Sequence, residues 1–198
     1  MAKIRKLGVL ALGVAGAAVA TVCDAIHVHT KTLSYPDPLI WKQAGWVFPG
    51  FTVAFVSMAV IYAGIAKPLE NKITIEESQQ AGEMAPFVEA MTYFAVIYML
   101  SGFGNYSPEI LCFIFYGTFV LRLGATYEKE WLLIVAFLLA FGGMFGEGLL
   151  AQFGLVAYRQ PEIFNVPFWL GGVYMHGAFA LREGMRIFVY KDKTRQIA

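Results

Sequence analysis

Apolar residues fall into six stretches along the chain, separated by charged positions, prolines and glycines. The stretches are residues 7–26, 46–66, 85–102, 110–125, 131–157 and 166–188. A bilayer core of about 30 Å takes about 20 apolar residues per helix, so each stretch reads as a span. The fifth has residues to spare for a tilt or bend. The breakers lie between them: Tyr35-Pro36-Asp37-Pro38, Lys67-Pro68, Gly104-Asn105-Tyr106-Ser107-Pro108 and Gln160-Pro161. Spans exposed to lipid must satisfy their own backbone hydrogen bonds, and no alternating strands of about ten residues are present, so the spans are helices and not a barrel. The expected fold is all-α: a polytopic membrane protein with six transmembrane helices in one compact bundle, residues 1–198 forming a single domain.

Composition supports this reading. The chain is 58% hydrophobic and 15% charged, against about 25% charged in a soluble domain. A net charge of +1 with no basic stripe excludes a nucleic-acid partner. Lys and Arg set the orientation. Six spans leave twelve of them on the side of the termini and three, Lys31, Lys42 and Arg159, on the other. Both termini are therefore expected in the cytoplasm. The membrane is the endoplasmic reticulum for a eukaryotic source and the cytoplasmic membrane for a bacterial one. The first stretch also fits a signal peptide, with Lys3, Arg5 and Lys6 ahead of it and Ala18 and Ala20 at cleavage-site spacing. Its length favours a retained helix. Cys23 and Cys112 require no disulfide.

Ionisable residues inside membranes carry most of the candidate chemistry. Glu147 is the deepest, in Gly142-Gly143-Met144-Phe145-Gly146-Glu147-Gly148, with Gln152 beyond it. Two readings stand: a polar floor or proton site in a cavity, or a neutral Glu bonded to a neighbouring backbone with Gly142-x-x-x-Gly146 as helix packing. His176 lies in the sixth stretch and reads as a packing residue. Arg182, Glu183 and Arg186 read as snorkelling side chains at the cytoplasmic end. Cys23, Asp24, His27 and His29 are the best metal candidates, yet they read more simply as an interfacial helix end, so no metal and no cofactor is expected. Asn105-Tyr106-Ser107 matches a glycosylation acceptor by chance. Enzyme signatures are absent. The chain is read as a non-enzyme, with a small transporter or membrane enzyme using Glu147 and His176 as the alternative.

Gly45-Trp46-Val47-Phe48-Pro49, reaching Tyr62, resembles the W-W-V-P-P and L-L-Y-P of the Insig (insulin-induced gene) family. Phe103-Gly104-Asn105 resembles F-A-N, and Val135-Ala136-Phe137-Leu138 resembles I-A-F-L. Pro161-Glu162-Ile163, Trp169-Leu170, Gly177 and Arg186 resemble P-D-F, W-L, a glycine pair and G-R-Q-L at matching offsets. The chain departs at the family's twin cysteines, here Gly50 and Phe51, and at G-I-N-H, here Tyr93-Phe94-Ala95-Val96. A family glutamine falls near Pro108, and Ala178 and Met185 replace family glycines. The resemblance implies six helices and a lipid-binding sensor or adaptor without enzymatic activity. Family members bind oxysterols and hold the escort protein Scap or a sterol-synthesis reductase. A homo-oligomer is a further expectation.

The expected ligand is a neutral hydroxylated lipid, a sterol or a diacylglycerol. Pockets for such molecules are mainly apolar with a few placed polar groups. Trp46, Pro49 and Thr52 are expected to shape a cavity where Pro49 bends the second helix. Ser57, Tyr62, Tyr93, Glu147, Gln152 and Tyr174 supply the remaining polar contacts.

Overall fold

The computed structural model describes residues 4–104 and 106–191. Among them are six α-helices: α1 (Lys6–His29), α2 (Val47–Leu69), α3 (Met84–Phe103), α4 (Pro108–Ala125), α5 (Lys129–Gln152) and α6 (Trp169–Gly184). Five of these, α1 to α5, are long and apolar enough to cross a membrane. The chain is thus a multi-pass membrane protein. The first stretch is a helix of the bundle, packed on α2 and α3. Asn105 of the glycosylation match, and Lys3, Lys193 and Arg195 of the charge count, lie outside the described residues.

The sixth helix is central. It packs against α3, α4 and α5, and its continuation as a π-turn (Met185–Val189) packs against α1. Its 16 residues are buried almost throughout, and its ionisable side chains His176, Arg182 and Glu183 find their partners within the protein. Arg182 and Glu183, expected at the water surface, are 4% and 3% exposed. Arg182 Nε lies 2.9 Å from Glu183, which also accepts from Arg186 at 2.9 Å and from the Tyr127 hydroxyl at 2.8 Å. Burial holds the Tyr127 phenol well above its ordinary range, so it remains a donor. Snorkelling is therefore the wrong description of this end of α6. Arg5 closes the same end by donating to the Ile187 and Tyr190 carbonyls at 2.8 and 3.1 Å, as a cation at a helix C-terminus does.

Helix α5 stops at Gln152, five residues short of the sequence expectation. Gly154 has φ +71°, a left-handed conformation that glycine adopts without a Cβ penalty. Gly154 N–H donates to the Ala151 carbonyl at 3.0 Å and Leu155 N–H to the Leu150 carbonyl at 2.9 Å. These two bonds form a Schellman termination. The chain then turns back as β4 (Ala157–Tyr158), which pairs antiparallel with β1 (Leu33–Ser34) after α1. A hairpin of β2 (Pro38–Ile40) and β3 (Gln43–Ala44) completes this distal face, opposite the face of the termini.

Single cysteines test the orientation in a background without Cys23 and Cys112. With the termini in the cytoplasm, Lys72→Cys and Lys129→Cys should resist an impermeant reagent applied outside, while Lys31→Cys reacts. The reverse pattern would sink the topology.

Candidate functional site

A cavity of about 530 Å³ lies inside the bundle, walled by α1, α2, α3, α5 and α6. Helices α1 and α2 pack closely, as do α5 and α6, but α2 and α5 face each other across a gap. The gap is closed towards the terminal face by Trp131 Nε1–H, which donates to the Tyr62 hydroxyl at 2.8 Å. Both side chains are fully buried. Above that closure the lining includes Ile61 and Leu138, which are also exposed on the outside of the bundle. The cavity therefore opens sideways between α2 and α5.

Apart from Ser57 and Tyr62, the polar groups collect at its distal end. Asp24 lies five residues before His29, Tyr98 five before Phe103, Glu147 five before Gln152, and Tyr174 five after Trp169. At 1.5 Å per residue all four sit roughly 7.5 Å below the distal helix ends. Glu147 accepts from the hydroxyls of Tyr174 and Tyr158. Asp24 accepts from the Tyr35 hydroxyl at 2.8 Å and from Gln43 Nε2 at 2.6 Å. Burial, then the neighbouring Asp24, pushes the Tyr35 phenol up, so it stays a donor. Asp24 and Glu147 both line the cavity, and its lining includes no Lys or Arg. Buried carboxyls of this kind are retained only when hydrogen-bonded.

The glycines of α5 divide into two functions. A Cβ on Gly143 would come within 2.4 Å of the Tyr174 ring, and one on Gly148 within 2.2 Å of the Phe164 carbonyl oxygen. These two permit close packing, and the first lets Tyr174 cross α5 to reach Glu147. A Cβ on Gly142 or Gly146 would meet nothing within 4 Å. Both line the cavity, so Gly142-x-x-x-Gly146 is an opening and not a packing motif.

Of the sequence candidates, Trp46, Ser57, Tyr62, Glu147 and Tyr174 line the cavity. Pro49, Thr52, Tyr93 and Gln152 do not. Pro49 is the third residue of α2, where the backbone N–H has no intrahelical acceptor anyway, so it neither loses a bond nor bends the helix. The Thr52 hydroxyl donates to the Phe48 carbonyl of its own helix at 3.0 Å. Tyr93 faces away from the cavity, stacked on His176 with ring centroids 5.7 Å apart. Gln152 is exposed and accepts from Asn165 at 3.1 Å. Asp24, Tyr35 and Tyr98 are the additions; an acidic residue inside the first stretch was the signal for Asp24.

The metal candidates diverge. Cys23 and His27 face α3, with His27 Nε2 2.6 Å from the Ser101 hydroxyl. Asp24 faces Tyr35 and Gln43, while His29 is exposed. His176 is fully buried, and its Nε2 lies 3.0 Å from the Phe115 carbonyl. A carbonyl only accepts, so Nε2 carries the proton and Nδ1 accepts from Arg122 at 2.9 Å. Tyr174, two residues earlier and so about 200° around the helix, bonds Glu147 instead. His176 and Glu147 thus lie on opposite sides of α6.

No family model and no curated relative matches the sequence. The structure does find counterparts. The crystal structure of the mycobacterial Insig homologue MvINS from Mycobacterium vanbaalenii superposes with a TM-score of 0.67 at 18% identity, covering 93% of this chain and 95% of that one. The chain has the fold of the Insig homologues. A cross-linked trimer of a cysteine variant of MvINS gives a TM-score of 0.64 at 19% identity, covering 92% and 95%. The Insig fold thus runs through nearly the whole chain, including the helices that wall the cavity.

Proposed function

We propose that this chain is an Insig-like lipid-binding sensor or adaptor that takes a neutral hydroxylated lipid from the bilayer into the cavity. The carrying observation is a largely apolar cavity, open sideways towards lipid, with both its carboxyls at the distal end. Its volume lies within the range of small-molecule pockets, about 300–1,000 Å³. Asp24 and Glu147 favour a head that donates hydrogen bonds, as the hydroxyl of a sterol or diacylglycerol does. They disfavour a phosphate, which adds negative charge beside two carboxyls in a site without a cation. Chain or ring burial gives shape selectivity more than driving force, because the competing solvent is also lipid.

The protein acts by binding and not by turnover. The separation of Glu147 from His176 counts against the two working together in a transporter or enzyme. All six helices span the membrane, in one domain, with both termini in the cytoplasm. The cross-linked trimer of MvINS supports a homo-oligomer here. A protein partner of the Scap or reductase type rests on the sequence resemblance alone.

Mass spectrometry of lipid extracted from the purified protein should recover a sterol or diacylglycerol, chemically unchanged. In competition, oxysterol or diacylglycerol should displace a bound fluorescent lipid at least about tenfold better than phosphatidic acid with matched chains; an unpaired charge buried in the pocket costs more than the 1.4 kcal/mol that a factor of ten represents. Phosphatidic acid winning would show that the polar end is misassigned.

A further inference from the structure

We infer a second lipid site on the distal face, one for a phospholipid with a net negative head. A groove of about 1100 Å³ lies between the end of α1, the β2–β3 hairpin and the β1–β4 pair. Lys31, Lys42 and Arg159, the three Lys and Arg residues that the charge pattern assigns to this side, all line it, together with His29. They come from three different segments: the turn after α1, the hairpin tip and the residue that follows β4. Among the described residues none of them has a carboxylate within 4.0 Å. The Arg159 guanidinium lies 4.6 Å from the centroid of the Tyr106 ring. That cation–π contact does not use the guanidinium N–H groups, which can donate in pairs to a phosphate.

Apart from Ser34, Tyr35 and Tyr158 the rest of the lining is apolar, and one wall of it runs towards the membrane. Val22, Ala25 and Ile26 of α1 and Phe103 of α3 form this wall. Val22 sits seven residues before the end of α1, about 10 Å deeper. Val22 and Phe103 are 51% and 64% exposed. Cations at the rim above an apolar strip match a phosphodiester head joined to an acyl chain, and neither part alone uses the whole groove. A zwitterionic head offers the same phosphate but brings an amine into a rim of cations.

The groove is separate from the cavity, yet the two share side chains. Tyr35 lines both, and Tyr158 lines the groove while donating to Glu147 of the cavity. The distal tyrosines thus stand between a basic site and an acidic one. The two sites take opposite heads, so this inference stands without the cavity's proposed ligand.

The test uses the full chain in a non-ionic detergent, titrated with phosphatidylglycerol, phosphatidylcholine of the same chains, and inorganic phosphate. Binding is read by native mass spectrometry and by the shift in unfolding temperature. Phosphatidylglycerol should bind at least about tenfold tighter than phosphatidylcholine, and inorganic phosphate should not displace it at equal concentration. High salt should weaken the preference, because exposed charges are screened. Each cation removed should weaken phosphatidylglycerol roughly fivefold, so K31Q/K42Q/R159Q should erase the preference and K31R/K42R should keep it. If the triple variant does not fold, R159Q alone, on an exposed side chain, carries the test. Equal binding of the two phospholipids, a preference that survives R159Q unchanged, or displacement by inorganic phosphate overturns the inference.

Discussion

Gly146→Leu and Gly142→Leu should abolish most lipid binding while leaving the fold intact. A Cβ at either position meets nothing within 4 Å, and both positions line the cavity, so the new side chain is expected to take up cavity space. An apolar ligand must then share a space of about 530 Å³ with it. Overpacking of this kind costs about 1–3 kcal/mol, which is roughly five- to 150-fold in Kd. Helix propensity moves the other way, since replacing glycine in a helix gains about 0.5–1 kcal/mol. The variants should therefore unfold at the same or a higher temperature while binding lipid more weakly. Gly148→Ala provides the contrast on the same helix. There a Cβ lies 2.2 Å from the backbone oxygen of Phe164, which cannot swing aside, so stability should fall. Lipid binding unchanged in Gly146→Leu would remove the cavity from the proposed function.

The helices were legible because an apolar stretch bounded by charges has few alternatives in a membrane. Their ends were not. Gly154 terminates α5 by a left-handed turn, and hydropathy alone ran the helix on through Leu155, Val156 and Ala157. That error hid the site. Tyr158 reaches Glu147 only because the chain reverses at Gly154 and β4 pairs with β1. The depth of Glu147 was readable from its place in the fifth stretch, but its two tyrosine partners come from other elements. Pro49 misled for a similar reason. A proline in an apolar stretch reads as a bend, whereas three residues into a helix it costs no hydrogen bond. Tyr93 and Gln152 were assigned by residue type within a span, without the helical phase that decides which face each occupies. Only packing supplies that phase.

The second large effect is expected at the other end of the molecule. Glu183→Ala should destabilise the protein by about 3–5 kcal/mol, the cost of removing one partner from a buried ion pair. Glu183 is 3% exposed and Arg182 4%. The carboxylate receives Arg182, Arg186 and the Tyr127 hydroxyl, each within 2.9 Å. Without it two guanidinium groups remain at the end of the central helix. Arg182 would keep its bonds to the Tyr127 carbonyl and the Thr126 hydroxyl, at 3.1 and 3.0 Å, but no carboxylate beside it. Arg186 would keep the more distant and exposed Glu77, at 3.7 Å, a contact worth little in water. R182M/E183M should lose less than Glu183→Ala alone, because replacing both members of the Arg182–Glu183 pair by apolar side chains leaves one guanidinium, Arg186 with Glu77 at 3.7 Å, without its close carboxylate instead of two. The difference between the double variant and the sum of the single ones measures the coupling. Reversible unfolding in detergent gives these values. A loss below about 1 kcal/mol for Glu183→Ala would mean that water reaches this end of α6, as the snorkelling reading supposed.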